Sequence, residues 1–228
     1  MIHTDLHLHS CLSPCGEAEM MPADLVGMAK LNGLDLIALT DHNSTKNCPA
    51  AALAAREYEI GFIPGAEVTT AEDVHCVCLF PSVAAALEFN AFLDPLRPGV
   101  KNRPDIFGPQ TVVHPDGTTE EEPDLLILAL EISIMDLPAA VWDFGGLFWP
   151  AHVDRSSNGL FATLGAWPKD LTADAAEVRF QDPGGIPRSL KIITASDAHR
   201  LADMPDGGFP LPLETADFEG LAKYLRGQ

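Results

Sequence analysis

The sequence predicts an α/β domain organised on a mainly parallel sheet. Two observations carry that reading. Apolar runs of strand length alternate with helical patterns, and polar residues of metal-ligand type recur where the apolar runs end, the position at which barrel enzymes keep their sites. The 228 residues are enough for one sizeable core, and the span 1–228 reads as a single domain with no linker.

Taken in order, strands are predicted at 2–9, 34–41, 62–69, 74–80, 147–153 and 191–197, and helices at 22–32, 49–59, 82–93, 136–144 and 217–225. Pro22 suits a first helical turn, and Gly33 suits the stop after that helix. Residues 97–131 break the alternation with Pro-rich and Gly-rich text. Within them, 112–118 reads as a small hairpin turning at Asp116-Gly117, and the acidic run 120–122 leads into apolar residues 125–130. This stretch is expected to be an insertion on the rim of the fold. A second irregular segment, 182–187, precedes the last strand, and no internal repeat stands out.

Composition narrows the function classes. With 33 Asp plus Glu against 14 Lys plus Arg, the formal net charge is −19. Such a surface repels phosphate backbones, which argues against a protein that coats long nucleic acid. The five cysteines are odd in number and contain no Cys-x-x-Cys pair, so neither a disulfide framework nor a zinc finger is implied. A reducing compartment fits them. No basic region followed by an apolar run opens the chain, and no stretch of about 18 apolar residues occurs, so a soluble, cytoplasmic protein with no membrane partner is expected.

The chemistry concentrates at the strand ends. His7 and His9 close the first strand, Asp41 and His42 the second, Glu67 lies late in the third, His152 ends a later one, and Asp197 and His199 finish the last. Residues at i and i+2 of a strand share a face, so His7 with His9 and Asp197 with His199 can each grip one ion or two neighbouring ions. A lone histidine is more often a satisfied core or surface group. Paired ligand types on apolar strands would otherwise bury uncompensated polar atoms, at about 1–3 kcal/mol each. His3, which opens the first strand, and His114, in the hairpin, fall outside the pattern and read as bystanders. Cys76 and Cys78 share the strand face opposite His75 and read as core.

In order, the motifs are His7-Leu-His9, Thr40-Asp41-His42, Gly65-Ala-Glu67, His75, Pro150-Ala-His152 and Ser196-Asp197-Ala-His199. This set, which covers nearly the whole chain, resembles the polymerase and histidinol phosphatase (PHP) family. The resemblance implies a distorted seven-stranded β/α (TIM-like) barrel holding a cluster of two to three divalent ions, zinc, manganese or iron, that hydrolyses phosphate esters. Carried over by position, His7, His9, Glu67 and Asp197 would hold one metal. Glu67 would bridge to another bound by His75 and His152, and His42 with His199 would hold the third. The family supplies one more ligand shortly after the His-x-His motif. Here Cys15 falls nearest to that place, with Glu17 and Glu19 as rivals, and a thiolate would favour zinc or ferrous iron over manganese or magnesium.

Clustered divalent ions suit phosphoryl transfer, because they clamp phosphate oxygens and lower the pKa of a water from 15.7 toward roughly 7. Asp41 reads as a carboxylate that orients an imidazole, and Asp5 could act likewise. Arg155 and Arg200, each close after a ligand histidine, are candidate phosphate clamps, the alternative being surface salt bridges. Asp197, His199, Glu67, Arg155, Arg200 and Asp41 are therefore the candidate catalytic set. The leading expectation is a phosphoesterase for a small phosphorylated substrate. A phosphodiesterase or exonuclease on nucleotides or short oligonucleotides, and a non-catalytic metal-binding domain, are the alternatives. A barrel amidohydrolase would pair His-x-His with a mid-barrel lysine, and no lysine here ends a predicted strand.

Overall fold

Strand β1 (Ile2–Leu8) is buried on both faces from Thr4 onward, as befits a strand covered on both sides. A computed structural model describes residues 1–227. After β1 come α1 (Pro22–Leu31), β2 (Leu36–Leu39), α2 (Cys48–Glu57), β3 (Gly61–Thr69), β4 (His75–Leu79) and α3 (Val83–Leu93). The middle of the chain holds α4 (Pro104–Phe107), the hairpin β5 (Thr111–Val113) and β6 (Thr119–Glu121), α5 (Leu137–Asp143) and β7 (Leu147–Pro150). Then follow α6 (Leu160–Leu164), β8 (Ala175–Glu177), β9 (Lys191–Ile193), β10 (Phe209–Leu211) and α7 (Phe218–Arg226). Every strand and helix expected from the sequence is present. Pro22 occupies the first turn of α1, and Gly33, at φ 73°, follows its cap. The short elements α4, α6, β8 and β10 carry too little periodicity to be read in advance.

The main sheet has six strands in the order β10-β1-β2-β3-β4-β7. It is mixed: β1/β2 and β2/β3 run parallel, whereas β3/β4, β4/β7 and β1/β10 run antiparallel. The expectation of a mainly parallel sheet fails at β4, because only a tight turn separates β3 from β4 and a parallel crossover needs a dozen or more residues. The seven-stranded barrel implied by the resemblance is likewise not one continuous ladder. β8 and β9 form their own parallel pair. They join the curled sheet through isolated links: Val153 N–H donates to Glu177 O at 2.9 Å and Asp174 N–H to Phe148 O at 2.8 Å, and Leu8 bridges Ala198. Strands 147–153 and 191–197 of the sequence reading stop at Pro150 and Ile193, so His152 and Asp197 lie in the turns beyond.

Alternation sorts the core into layers. Val77 and Leu79 of β4 face an inner cluster with Leu6, Ile63 and Trp149, while Cys76 and Cys78 face an outer layer with Phe89 and Val141. Helices α1 and α2 cover β1 and β2 through Leu25, Val26 and Ala51. Helix α7 closes the end where strands begin: a Cβ on Gly61, the first residue of β3, would lie 2.1 Å from Ala216 O, so only glycine fits. The opposite end is left for the strand-end ligands. Among the described residues, no helix is long and apolar enough to cross a membrane.

Asp217 caps α7 by accepting the Gly220 N–H at 2.8 Å. That bond, with one from Thr215, holds its carboxyl below the usual range. Asp217→Ala should cost about 1 kcal/mol in urea denaturation at neutral pH. Because the folded pKa is depressed, the difference should persist above about pH 4, the unfolded carboxyl's range, and vanish as pH falls through the folded value.

Candidate metal centre

His7 Nδ1 faces both oxygens of Glu177, at 3.1 and 3.0 Å, inside a fully buried pocket. A carboxylate accepts there, so Nδ1 carries the proton and the Nε2 lone pair points inward. His9 is held the same way by a relay. Ser13 Oγ donates to Asp41 Oδ1 at 2.7 Å, leaving it to accept from His9 Nδ1 at 3.0 Å and from the His42 backbone N–H at 3.1 Å. The two Nε2 atoms therefore meet 3.1 Å apart as paired acceptors. Glu67 oxygens lie 3.3 Å from each, and Asp197 Oδ1 lies 3.5 Å from His7 and 3.2 Å from His9.

Glu67 is the hub. Oε1 lies 2.9 Å from His75 Nδ1 and 3.0 Å from His152 Nε2, and Oε2 lies 3.0 Å from His42 Nδ1. His199 stacks on His9 with centroids 4.1 Å apart, its Nδ1 directed to Asp197 O at 2.9 Å. Six imidazoles and two carboxylates thus converge, and three sets bring their ligand atoms within 4.8 Å of one another: His7, His9, Glu67 and Asp197; His42, Glu67 and His75; His9, His42 and His199. Residues fit divalent cations by chemistry as well as by number. Glu67 Oε2 and His42 Nδ1 are buried side by side with no hydrogen-bond partner among the described residues, an arrangement that a cation between them would satisfy.

The carboxylates draw positive charge to the cluster, and without a cation protons on the imidazoles answer that pull. Burial alone would raise the Glu67 carboxyl, but His75, His7 and His42 hold it well below the usual range. Burial opposes charge on His9 and His42, yet Asp197 and Glu67 lift His9, and Glu67 lifts His42, each to about 9. His199 is depressed to about 3 by burial and by His9. The turns that deliver the last ligands are strained: His152 has φ 26° and Asp197 φ 52°, a cost that a functional site can hold in place.

The sequence-predicted residues divide as follows. His7, His9, His42, Glu67, His75, His152, Asp197 and His199 all come together, and His3 and His114 stay outside. Cys15 is exposed and lines the same cleft as His42, but it stands outside the three sets. Asp41 steadies His9 through Ser13 rather than its neighbour His42, and Asp5 holds Ser196 instead of an imidazole. Arg155 Nη1 reaches Asp197 Oδ2 at 2.7 Å. Arg200 does not reach the cleft. Its backbone is extended, so its side chain alternates away from His199 and pairs with Glu17 at 3.1 Å on the surface. That pair also turns Glu17 away from the cluster.

Glu177, Ser13 and Arg179 are absent from the sequence reading. Their only signal is a lone carboxylate in the apolar text Ala175-Ala-Glu177-Val178. The 97–131 segment is a wall of the cleft. Asn43 Nδ2 donates to Leu126 O and Leu128 O at 2.6 and 2.9 Å, and Ile127 lines a cavity of about 300 Å³ with His42, His75 and Asn158. A larger groove, about 600 Å³ over α2, is walled by Pro49, Leu53 and Phe62 and carries no ligating group.

A model of the PHP domain matches residues 5–129, more than half of the chain. The chain belongs to the PHP domain family. Two curated relatives are similar over part of it. One is a 5'-3' exoribonuclease of Haemophilus influenzae, 36% identical over 66 residues, or 29% of this chain and 23% of that protein. The other is a 3',5'-nucleoside bisphosphate phosphatase of Chromobacterium violaceum, 32% identical over 96 residues, or 39% of this chain and 33% of the relative. The match therefore spans a third or less of either relative. Among solved structures, a lesion-specific endonuclease from Pyrococcus furiosus superposes with a TM-score of 0.69 at 18% identity, over 99% of this chain and 56% of its own. A protein of Bifidobacterium adolescentis described as a metal-dependent phosphoesterase gives 0.62 at 19%, over 98% and 95%. At these identities the structural likeness concerns the PHP fold alone.

Proposed function

We propose that this PHP domain is a metal-dependent phosphoesterase that hydrolyses small phosphomonoesters. The observation that carries the reading is the convergence of three ligand sets in one cleft, two of them sharing Glu67, with the Arg155 guanidinium at its edge. His7, His9, Glu67 and Asp197 would hold one ion. His42, Glu67 and His75, with His152 beside Glu67, would hold a second, and His42 and His199, with Cys15 at hand, a third. Two to three ions of zinc, manganese or iron suit this mixture of imidazole, carboxylate and thiol. Bound there, such ions supply charge neutralisation for the ester oxygens and a water of lowered pKa.

The remaining residues have roles of their own. Arg155 keeps Asp197 Oδ2 occupied, so Oδ1 stays turned to His7 and His9, and its spare N–H groups face the cavity where a phosphate would sit. Ile127, from the 97–131 segment, lines one side of the cleft with an apolar side chain. The net charge of −19 favours a small substrate over a long polyanion, and the bisphosphate phosphatase of Chromobacterium violaceum is in keeping with a phosphomonoester. The exoribonuclease relative favours a second reading, a diesterase acting on short oligonucleotides.

The test is phosphate release from panels of monoesters and diesters by manganese- and zinc-loaded protein, with Asp197→Ala as the blank. Monoester turnover that vanishes in the blank supports the leading reading, and diester turnover alone supports the second. Metal-loaded protein that cleaves neither panel refutes both. Arg155→Ala should lower kcat/KM for a cleaved monoester at least roughly tenfold, about 1.4 kcal/mol, and unchanged kinetics would remove Arg155 from the phosphate site.

A further inference from the structure

Beside the metal cleft lies a second hollow of about 320 Å³, lined by Arg155, Arg179, Phe180, Asp197, His199 and Asp203. Arg155, Asp197 and His199 line both, so the two form one continuous cleft. Arg179 and Phe180 have no part in the hydrolytic reading given above. Arg179 Nη1 lies 3.3 Å from Asp197 Oδ2, next to Arg155, so two guanidinium groups share one carboxylate oxygen and keep donors to spare.

Phe180 is 78% exposed, an unusual place for a large apolar ring. It is not there through slackness of the loop. The Asp154 carboxylate accepts three successive backbone N–H groups, from Arg179 at 2.9 Å, Phe180 at 2.6 Å and Gln181 at 3.0 Å. The Arg179 guanidinium sits 5.6 Å from the Phe180 centroid. A bare aromatic ring on a pinned backbone, beside two cations and opening onto the metal cleft, has the makings of a stacking platform.

We propose that Arg179 and Phe180 form the leaving-group subsite of this centre. Phe180 stacks a planar ring of the alcohol that carries the phosphate, and Arg179 holds the oxygen-rich part between ring and ester. The preferred substrate class is then a phosphate ester of a ring-bearing alcohol, such as a nucleoside, over one of a simple polyol. This assignment rests on the phosphomonoesterase reading and deepens it.

The experiment compares adenosine 5'-monophosphate with glycerol 2-phosphate in the metal-loaded wild type, Phe180→Ala and Phe180→Tyr. Stacking of one base supports a change of about tenfold. The ratio of kcat/KM, nucleotide over glycerol phosphate, should fall by about that factor in Phe180→Ala, chiefly through KM, and return in Phe180→Tyr. An unchanged ratio, or an equal loss on both esters, overturns the subsite. Should the wild type turn over neither ester, the phosphomonoesterase reading stands or falls on the wider panel above, and calorimetric binding decides the subsite separately. Phe180→Ala should then weaken adenosine monophosphate about tenfold relative to inorganic phosphate, and equal weakening or none overturns it.

Discussion

Glu67→Gln should abolish hydrolysis of any cleaved phosphomonoester, by at least roughly a thousandfold, about 4 kcal/mol of barrier, and should lower the metal content of the purified protein. Glu67 is the one residue whose two oxygens face His75 and His152 on one side and His42 and His9 on the other, and it belongs to two of the three ligand sets. Glutamine keeps the volume but offers one neutral acceptor and an N–H₂ group that repels a cation. In the metal-free protein the change should also lower the melting temperature, because the buried imidazoles that hold the Glu67 carboxylate charged lose their partner. Elemental analysis, phosphate release and a thermal melt check the three parts. A folded Glu67→Gln protein with wild-type metal content and rate would show that the hub is not where ions bind.

The ease with which the site can be read from sequence follows from its geometry. His7 and His9 were legible because a strand repeats every two residues, so one tripeptide states a shared face. Glu67 and His75 are legible because they flank one turn, Glu67 late in an apolar run and His75 at the start of the next. Arg179 was not, since it enters through a loop whose shape is set by Asp154, twenty-odd residues away. Arg200 misled for the complementary reason: adjacency to His199 places it on the opposite side of an extended backbone. Asp41 shows a subtler limit. Its role as an orienting carboxylate could be inferred, but its client could not, because Ser13 intervenes. The parallel-sheet expectation failed for a similar reason. Strand positions are local, whereas the direction of β4 depends on how few residues connect it to β3.

Glu177 lies in a three-residue strand that no periodicity marks, yet the second large effect is expected there. Both its oxygens face His7 Nδ1, and Oε1 also accepts the His152 backbone N–H at 3.1 Å. It therefore fixes the tautomer that turns His7 Nε2 toward Glu67 and Asp197, and anchors the strained turn that presents His152. Partners of this kind are worth about 10- to 100-fold in metal affinity. Glu177→Ala should show a loss in that range in a chelator competition, together with about 1–3 kcal/mol of stability, because a buried Nδ1–H is left unpaired. Glu177→Gln should lie between, since its carbonyl can still accept the Nδ1 proton while the charge that raises ligand basicity is gone. That ordering separates orientation from bulk: a cavity effect alone would spare glutamine entirely. Equal affinity in all three proteins would mean that the carboxylate only secures β8 to β1, and that His7 is held in place by the cluster itself.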